Sequence, residues 1–344
     1  MENQEDESSN FKIDLISSLF GQQIAHGILK DDQNPTKEDA NSSCTHPIFM
    51  ENICTRCGKQ INSGEIRTIP FSYIYPNLSL GLLEVNRIRD QNLRSLLTRK
   101  KLHLVVDLDH TLLHQRPSYK LTPEDKKFLG SRKRGIHRNV VEDDSLIKVP
   151  CGWVKLRPYV RNFLEEVSTM FDMTIYTLGG RSGSWTVAKI LDPAGKYFDN
   201  WRVISRDDCV TLDKHKKWLD LVLQHDKVVV VLDDNEAVWE DYKSNYVRVI
   251  PYNFFSYFSP NDKEHDASPP RSSWSQLNGD ESEEDGVLAA VLRKLRMIHS
   301  GFYDDDDNDV VVADRDVRDV IRRVQMCQKS GKKQKRHKKK IGRS

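Results

Sequence analysis

Apolar positions change period several times along the chain, and each change predicts an element. From Gly81 to Lys101, Leu82, Val85, Ile88, Leu93, Leu96 and Leu97 recur at mostly helical spacing, predicting a helix that feeds the next segment. Leu102 to Val106 is a continuous apolar run of strand length that ends abruptly in Asp107-Leu-Asp109-His-Thr111. Trp153 to Pro158 reads as the start of a helix, with Pro158 in its first turn and Tyr159, Phe163, Leu164 and Val167 facing inward. Phe171 to Thr177, Arg202 to Ser205, Lys227 to Leu232 and Tyr246 to Ile250 read as further strands, with a helix ending near Leu191 between the first two. Farther on, Val287, Leu288, Val291, Leu292, Leu295 and Ile298 describe an amphipathic helix, and Val317, Val320, Ile321 and Val324 a shorter one. Strand and helix alternate from about Leu102 to Phe258. The expected fold class is therefore α/β, a doubly wound, Rossmann-like parallel sheet with an insertion after the first strand.

Composition divides the chain further. With 38% hydrophobic against 30% charged residues, a compact middle flanked by polar segments is expected. The segments are a polar tail at 1–42, a candidate zinc knuckle at 43–60, the main domain at 80–258, an acidic linker with two short helices at 259–328 and a basic tail at 329–344. An apolar patch from Phe11 to Phe20 in the first tail reads as a partner-docking helix or as incidental hydrophobes in a disordered tail.

Net charge is only +2, but acidic and basic runs are segregated. Gln115 to Pro150 holds nine Lys or Arg against five Asp or Glu, and an insertion there would overhang the carboxyl end of the first strand. That overhang suits an acidic or phosphorylated substrate, with an exposed charged loop as the alternative. The tail from Lys329 to Ser344, also with nine Lys or Arg, reads as a nuclear-import signal or a nucleic-acid contact, or simply as a solvated tail. No apolar run is long enough to span a bilayer, and Met1-Glu-Asn-Gln-Glu-Asp lacks a signal-peptide pattern, so a soluble intracellular protein without membrane partners is expected.

The candidate chemistry begins at Asp107 and Asp109. Side chains two apart on a strand share a face, and two carboxylates that close call for a cation, Mg²⁺ for preference. The alternative is a strand running into a solvated turn. Lys227 to Leu232 ends in Asp233-Asp234, and at parallel-strand ends all four carboxylates would share one crevice. Thr177-Leu-Gly179-Gly180 reads as a phosphate cradle with free glycine amides, or as a turn. Cys44-Thr-His46 and Cys54-Thr-Arg-Cys57-Gly58 read as a four-ligand structural Zn²⁺ site or as free thiols.

This constellation resembles the haloacid dehalogenase superfamily of phosphotransferases. Asp-Leu-Asp-His-Thr-Leu-Leu, Val-Lys-Leu-Arg-Pro-Tyr-Val, Ile-Ser-Arg-Asp-Asp and Leu-Asp-Asp-Asn-Glu-Ala-Val-Trp resemble the TFIIF-associating phosphatases of the RNA polymerase II carboxy-terminal domain (CTD), the plant type above all. The likeness runs from the Cys-x-His segment to about Val324. It implies a protein serine/threonine phosphatase of the nucleus, acting on the phosphorylated heptad repeats of the polymerase's largest subunit, with general transcription factors as further partners. It implies Asp107 as nucleophile, Asp109 as acid and base, and Thr177 and a lysine as phosphoryl contacts. Alignment with the family selects Lys217, with Lys216 or Lys214 as substitutes. Mg²⁺ would be held by Asp107, the Asp109 main-chain carbonyl and Asp233, with Asp234 beside it. Thr111, Gly179 and Arg157 are candidate phosphate contacts, Arg157 alternatively one half of a buried ion pair.

Two departures from the family stand out. Gly183, Ser184 and Trp185 replace the usual residues after Thr177, which puts the substrate groove in question. No BRCT domain is expected after Val324, so recruitment would fall to the basic tail or a partner. The competing readings are a phosphatase of small phosphate esters and a catalytically silent phosphopeptide-binding module.

Overall fold

The computed structural model describes residues 44–60, 66–133, 144–198, 203–209, 215–256, 273–277, 279–304 and 312–327. The expected N-terminal tail, the Lys214 alternative, part of the basic insertion and the basic C-terminal tail lie outside them. The chain forms two compact units, Met1–Ile88 and Arg89–Ser344.

The first unit is built on a four-stranded sheet of β1 (Ile48–Met50), β2 (Ile53–Cys54), β3 (Thr68–Pro70) and β4 (Leu78–Gly81), in the order β2-β1-β4-β3, antiparallel throughout. Glu51 and Asn52 both take positive φ in the two-residue turn between β1 and β2, the hairpin geometry that matches strand twist. Phe49 and Cys54 form a small buried cluster with Cys44, Cys57 and Ile66 against it. Helix α1 (Leu82–Thr98) begins in this unit, and its Leu93 and Leu96 belong to the core of the second.

In the second unit the chain runs through β5 (Leu102–Val106), β6 (Leu113–Pro117), α2 (Pro123–Lys133), β7 (Leu146–Val149), β8 (Gly152–Leu156), α3 (Val160–Ser168), β9 (Phe171–Tyr176), α4 (Arg181–Leu191), β10 (Val203–Ile204), β11 (Val229–Asp233), β12 (Tyr246–Arg248), α5 (Val287–Tyr303) and a last helix, α6, over 317–327. Five strands make a parallel sheet in the order β10-β9-β5-β11-β12. Every residue of β5 and β11 is buried, as expected of strands covered on both faces. Leu102, Leu104 and Val106 alternate into one cluster with Val228, Val230 and Leu232, while His103, Val105, Val229 and Val231 are buried outside it. Chain order reverses between β5 and β11, and α/β sheets open a crevice at such a point.

Three expectations need correcting. Residues 153–156 are not the start of a helix: Gly152–Leu156 is the middle strand of an antiparallel sheet in the order β6-β8-β7, and the helix begins at Val160. The insertion after the first strand is thus this small sheet with α2, not only a charged overhang. Residues 287–303 and 317–327, placed in a linker by composition, put Leu288, Val291, Leu292, Leu295, Ile298, Phe302, Val317, Val320, Ile321 and Val324 into the main core. An amphipathic helix must bury its apolar stripe, and here the stripe closes the domain.

Candidate active site

Parallel register brings the first carboxylates together. Val106 pairs with Leu232, and the Asp107 N–H continues the ladder onto the Leu232 carbonyl at 3.0 Å, so Asp107 and Asp233 leave adjacent strands at the same level. Lys217 comes in between them. Its Nζ donates to Asp107 Oδ1 and to Asp233 Oδ2, each at 2.6 Å, and to the Tyr176 carbonyl at 2.9 Å. The rings of Tyr176 and Trp239 flank the ammonium at 5.7 and 5.6 Å. Asp233 is fixed further by the Trp239 indole N–H on Oδ2 and the Asn235 N–H on Oδ1, both at 2.8 Å.

Asp107, Asp233 and Asp234 offer carboxylate oxygens within 4.8 Å of one another. Burial pushes the Asp107 carboxyl well above its usual range and lifts Asp234 to about 6, in the latter case with help from the neighbouring Asp233 charge. Burial disfavours the Lys217 charge, but Asp107 and Asp233 outweigh it and hold the ammonium protonated. With all three carboxylates ionised, one ammonium against them leaves two negative charges, the complement of one divalent cation with oxygen ligands, whose own charge would favour that ionised state. This donor set fits Mg²⁺.

Asp109 stands apart from that trio. Its Oδ1 accepts from the Gln115 N–H at 3.0 Å and its Oδ2 from Gln115 Nε2 at 2.9 Å. Burial raises its pKa above the ordinary carboxylate value, against the pull of His110 and these two bonds. Thr177, just past β9, is buried, and its Oγ1 accepts the Gly179 N–H at 3.0 Å.

A family model of NLI interacting factor-like phosphatases matches residues 102–268. The RNA polymerase II C-terminal domain phosphatase-like 4 of Arabidopsis thaliana is 38% identical over 90% of this chain and 67% of its own length. The chain belongs to the NLI interacting factor-like phosphatase family. An RNA polymerase II C-terminal domain phosphatase of Schizosaccharomyces pombe is 32% identical over 62% of this chain, but only 30% of that relative is covered. Among solved structures, that of Fcp1, an essential RNA polymerase II CTD phosphatase, aligns at TM-score 0.50 and 27% identity over 68% of this chain and 73% of the other.

For this phosphatase-family chain the fold treats the sequence candidates unequally. Of the lysines, Lys217 reaches the carboxylates, while Lys216 pairs with Glu240 at 2.7 Å. Arg157 is not available as a phosphate contact. It is buried and donates to both Glu281 oxygens at 2.9 and 2.8 Å, to the Thr111 carbonyl at 3.0 Å and to the Ile250 carbonyl at 2.9 Å. Of the loop amides, Gly179 N–H is spent on Thr177 and Arg181 N–H donates to Asp207 at 2.8 Å. Thr111 is buried, and its hydroxyl has no partner among the described residues.

Ser184 is buried in α4 and donates to the Gly180 carbonyl at 2.9 Å. Trp185 lines a separate cavity of about 450 Å³ with Lys189, Asp192, Phe198 and Val203. Sequence reasoning gave no role to Gln115, Tyr176 or Trp239. Trp239 lies in the Asn-Glu-Ala-Val-Trp stretch that carried the resemblance, whereas nothing around Gln115 marks it.

In the first unit, Cys44, His46, Cys54 and Cys57 form a second group with ligand atoms within 4.8 Å. Cys44 and Cys54 sulfurs are 3.9 Å apart, and Cys57 Sγ lies 3.4 Å from His46 Nδ1. Gly58 follows at φ +71°, closing the knuckle turn with its N–H on the Cys54 carbonyl at 2.9 Å.

Proposed function

We propose that the protein is a Mg²⁺-dependent serine/threonine phosphatase of the nucleus that dephosphorylates the C-terminal heptad repeats of RNA polymerase II. The observation that carries the reading is Lys217 bridging Asp107 and Asp233 at the open ends of adjacent parallel strands. Relatives named as phosphatases of the polymerase's C-terminal domain support the substrate.

In the first half-reaction an Asp107 oxygen bonds to phosphorus while the ester P–O bond breaks, and Asp109 gives its proton to the departing serine oxygen. In the second, Asp109 takes a proton from water as that water attacks the aspartyl-phosphate, releasing inorganic phosphate and restoring Asp107. Thr177 has its oxygen engaged by Gly179, which leaves its O–H to donate to a phosphoryl oxygen. Lys217 opposes the negative charge that develops in flight. Asp107, Asp233, Asp234 and the Asp109 main-chain carbonyl would hold Mg²⁺, which would supply the remaining neutralisation of the phosphoryl group.

The cysteine cluster takes structural Zn²⁺ in this reading. A tetrahedron with bonds of about 2.3 Å separates its sulfurs by about 3.8 Å, close to the 3.9 Å between Cys44 and Cys54. Four protein ligands leave no open position for chemistry. Metal analysis of the purified protein should return one zinc per chain, lost in Cys57→Ala. A metal-free native protein would end the proposal.

Phosphate release from a phosphoserine heptad peptide tests the main reading. It should require both Mg²⁺ and Asp107, vanish in Asp107→Asn and exceed release from sugar phosphates. Faster turnover of sugar phosphates would move the assignment to small esters. No release from folded native protein would leave a phosphopeptide-binding module.

A further inference from the structure

We propose that Gln115 is the positioning residue for proton transfer, holding the Asp109 carboxyl in one plane through both half-reactions. The proposal rests on the reading of Asp109 as acid and base. Both carboxyl oxygens of Asp109 are bound by this one residue, Oδ1 by its main-chain N–H and Oδ2 by its side-chain amide. Gln115 owes its place to the insertion. It sits at the centre of β6, opposite Val154 of β8, in a register running from Leu113↔Leu156 to Pro117↔Gly152. The same strand is tied back at its start, where Asp109 bridges to Leu113 and the His110 N–H donates to the Leu113 carbonyl at 2.7 Å. The small sheet thus folds its first strand onto the acid.

The neutrality of the clamp matters. Asp109 must carry a proton when the serine oxygen departs and lack one when water attacks. An arginine or lysine bonded to both oxygens would hold it ionised and spoil the first step. A neutral amide that donates one N–H to a carboxyl oxygen leaves that oxygen another direction in which to carry or lose a proton, so the bond persists in both protonation states. Replacing the side chain leaves the main-chain bond in place and frees the carboxyl to turn about that single anchor.

The test compares leaving groups in the full chain with Mg²⁺. A phosphoserine peptide releases an alkoxide that needs a proton, whereas p-nitrophenyl phosphate releases a phenolate that does not. The pre-steady-state burst of p-nitrophenolate reports phosphoenzyme formation alone. Gln115→Leu should lower kcat on the peptide about 10- to 100-fold with KM unchanged, and leave the burst rate within about threefold. Gln115→Glu, which keeps the shape but sets a like charge against Asp109, should show the same split. Equal loss on both substrates, or no loss on either, overturns the proposal. Asp109→Asn run alongside should split the substrates more widely. If it splits them while the Gln115 variants do not, only the role of Gln115 falls. If it slows both equally, the acid assignment falls and this inference with it.

Discussion

The Arg157 guanidinium is where two readings of one residue predict opposite experiments. Its side chain is fully buried and its partner Glu281 is 11% exposed, so solvent screens the pair little. Truncation to Met would strand the Glu281 carboxylate and remove the donor from the Thr111 and Ile250 carbonyls. Breaking a buried pair from one side costs about 3–5 kcal/mol. Glu281→Gln keeps the volume but loses one acceptor and the charge, for about 2–3 kcal/mol. Arg157→Met/Glu281→Gln leaves no unpaired charge and should fall short of the sum of the single losses by about 2 kcal/mol. Urea unfolding of the four proteins closes the cycle. Because Arg157 also anchors the turn after Asp109, folded Arg157→Met should lose kcat on a phosphoserine peptide while KM stays within about twofold. A phosphate contact would behave the other way. Stability of Glu281→Gln within about 0.5 kcal/mol of native, together with a KM raised tenfold in Arg157→Met, would refute the structural role.

Three further perturbations have defined signs. Burial keeps His114 neutral, well below the usual imidazole range, with its Nδ1 accepting the Phe254 and Phe255 N–H groups at 3.0 and 3.1 Å. The unfolded chain takes up that proton near pH 6.5, so stability is full above this value and falls below it by up to about 1.4 kcal/mol per pH unit. Urea midpoints from pH 7.5 to 5 should show this slope in the native protein and less of it in His114→Gln; equal slopes would remove His114 as the cause. Lys217→Met should abolish turnover yet bind Mg²⁺ more tightly by calorimetry, because the ammonium and the metal neutralise the same carboxylates; weaker binding would contradict that balance. A Cβ on Gly152 would lie 2.2 Å from the Arg116 carbonyl oxygen. Gly152→Ala should therefore cost at least about 1–3 kcal/mol in thermal unfolding and reduce kcat by disturbing the β6–β8 register; a native-like melting temperature would show that the pair can spread.

The parallel sheet was legible because its strands are covered on both faces, so each reads as an apolar run that stops where the site begins. Val106 to Asp107 and Leu232 to Asp233 are such edges. The insertion sheet was not legible for the converse reason. β8 buries Lys155, paired with Asp280 at 3.1 Å, so a charge sits where the alternation calls for an apolar residue. Its partners lie tens of residues away, at Leu113–Pro117 and Leu146–Val149. The fate of Arg157 was hidden likewise, since its partner Glu281 is 124 positions on, in a run whose composition reads as linker.

These misreadings converge on one piece of the molecule. Asp280 and Glu281 neutralise Lys155 and Arg157 at the end of β8, β8 sets the register of β6, and β6 carries Gln115 to Asp109. Local pattern reports a residue's burial, which is why the Asp107, Asp233 and Asp234 cluster at the ends of the buried strands could be read directly. The placement of Gln115 against Asp109 depends on long-range pairing and on ion pairs across the chain, and no local period records those. Substitutions at Asp280 or Glu281 are therefore expected to change turnover on phosphoserine before they change binding of Mg²⁺, because their path leads to Asp109 and not to the carboxylate trio.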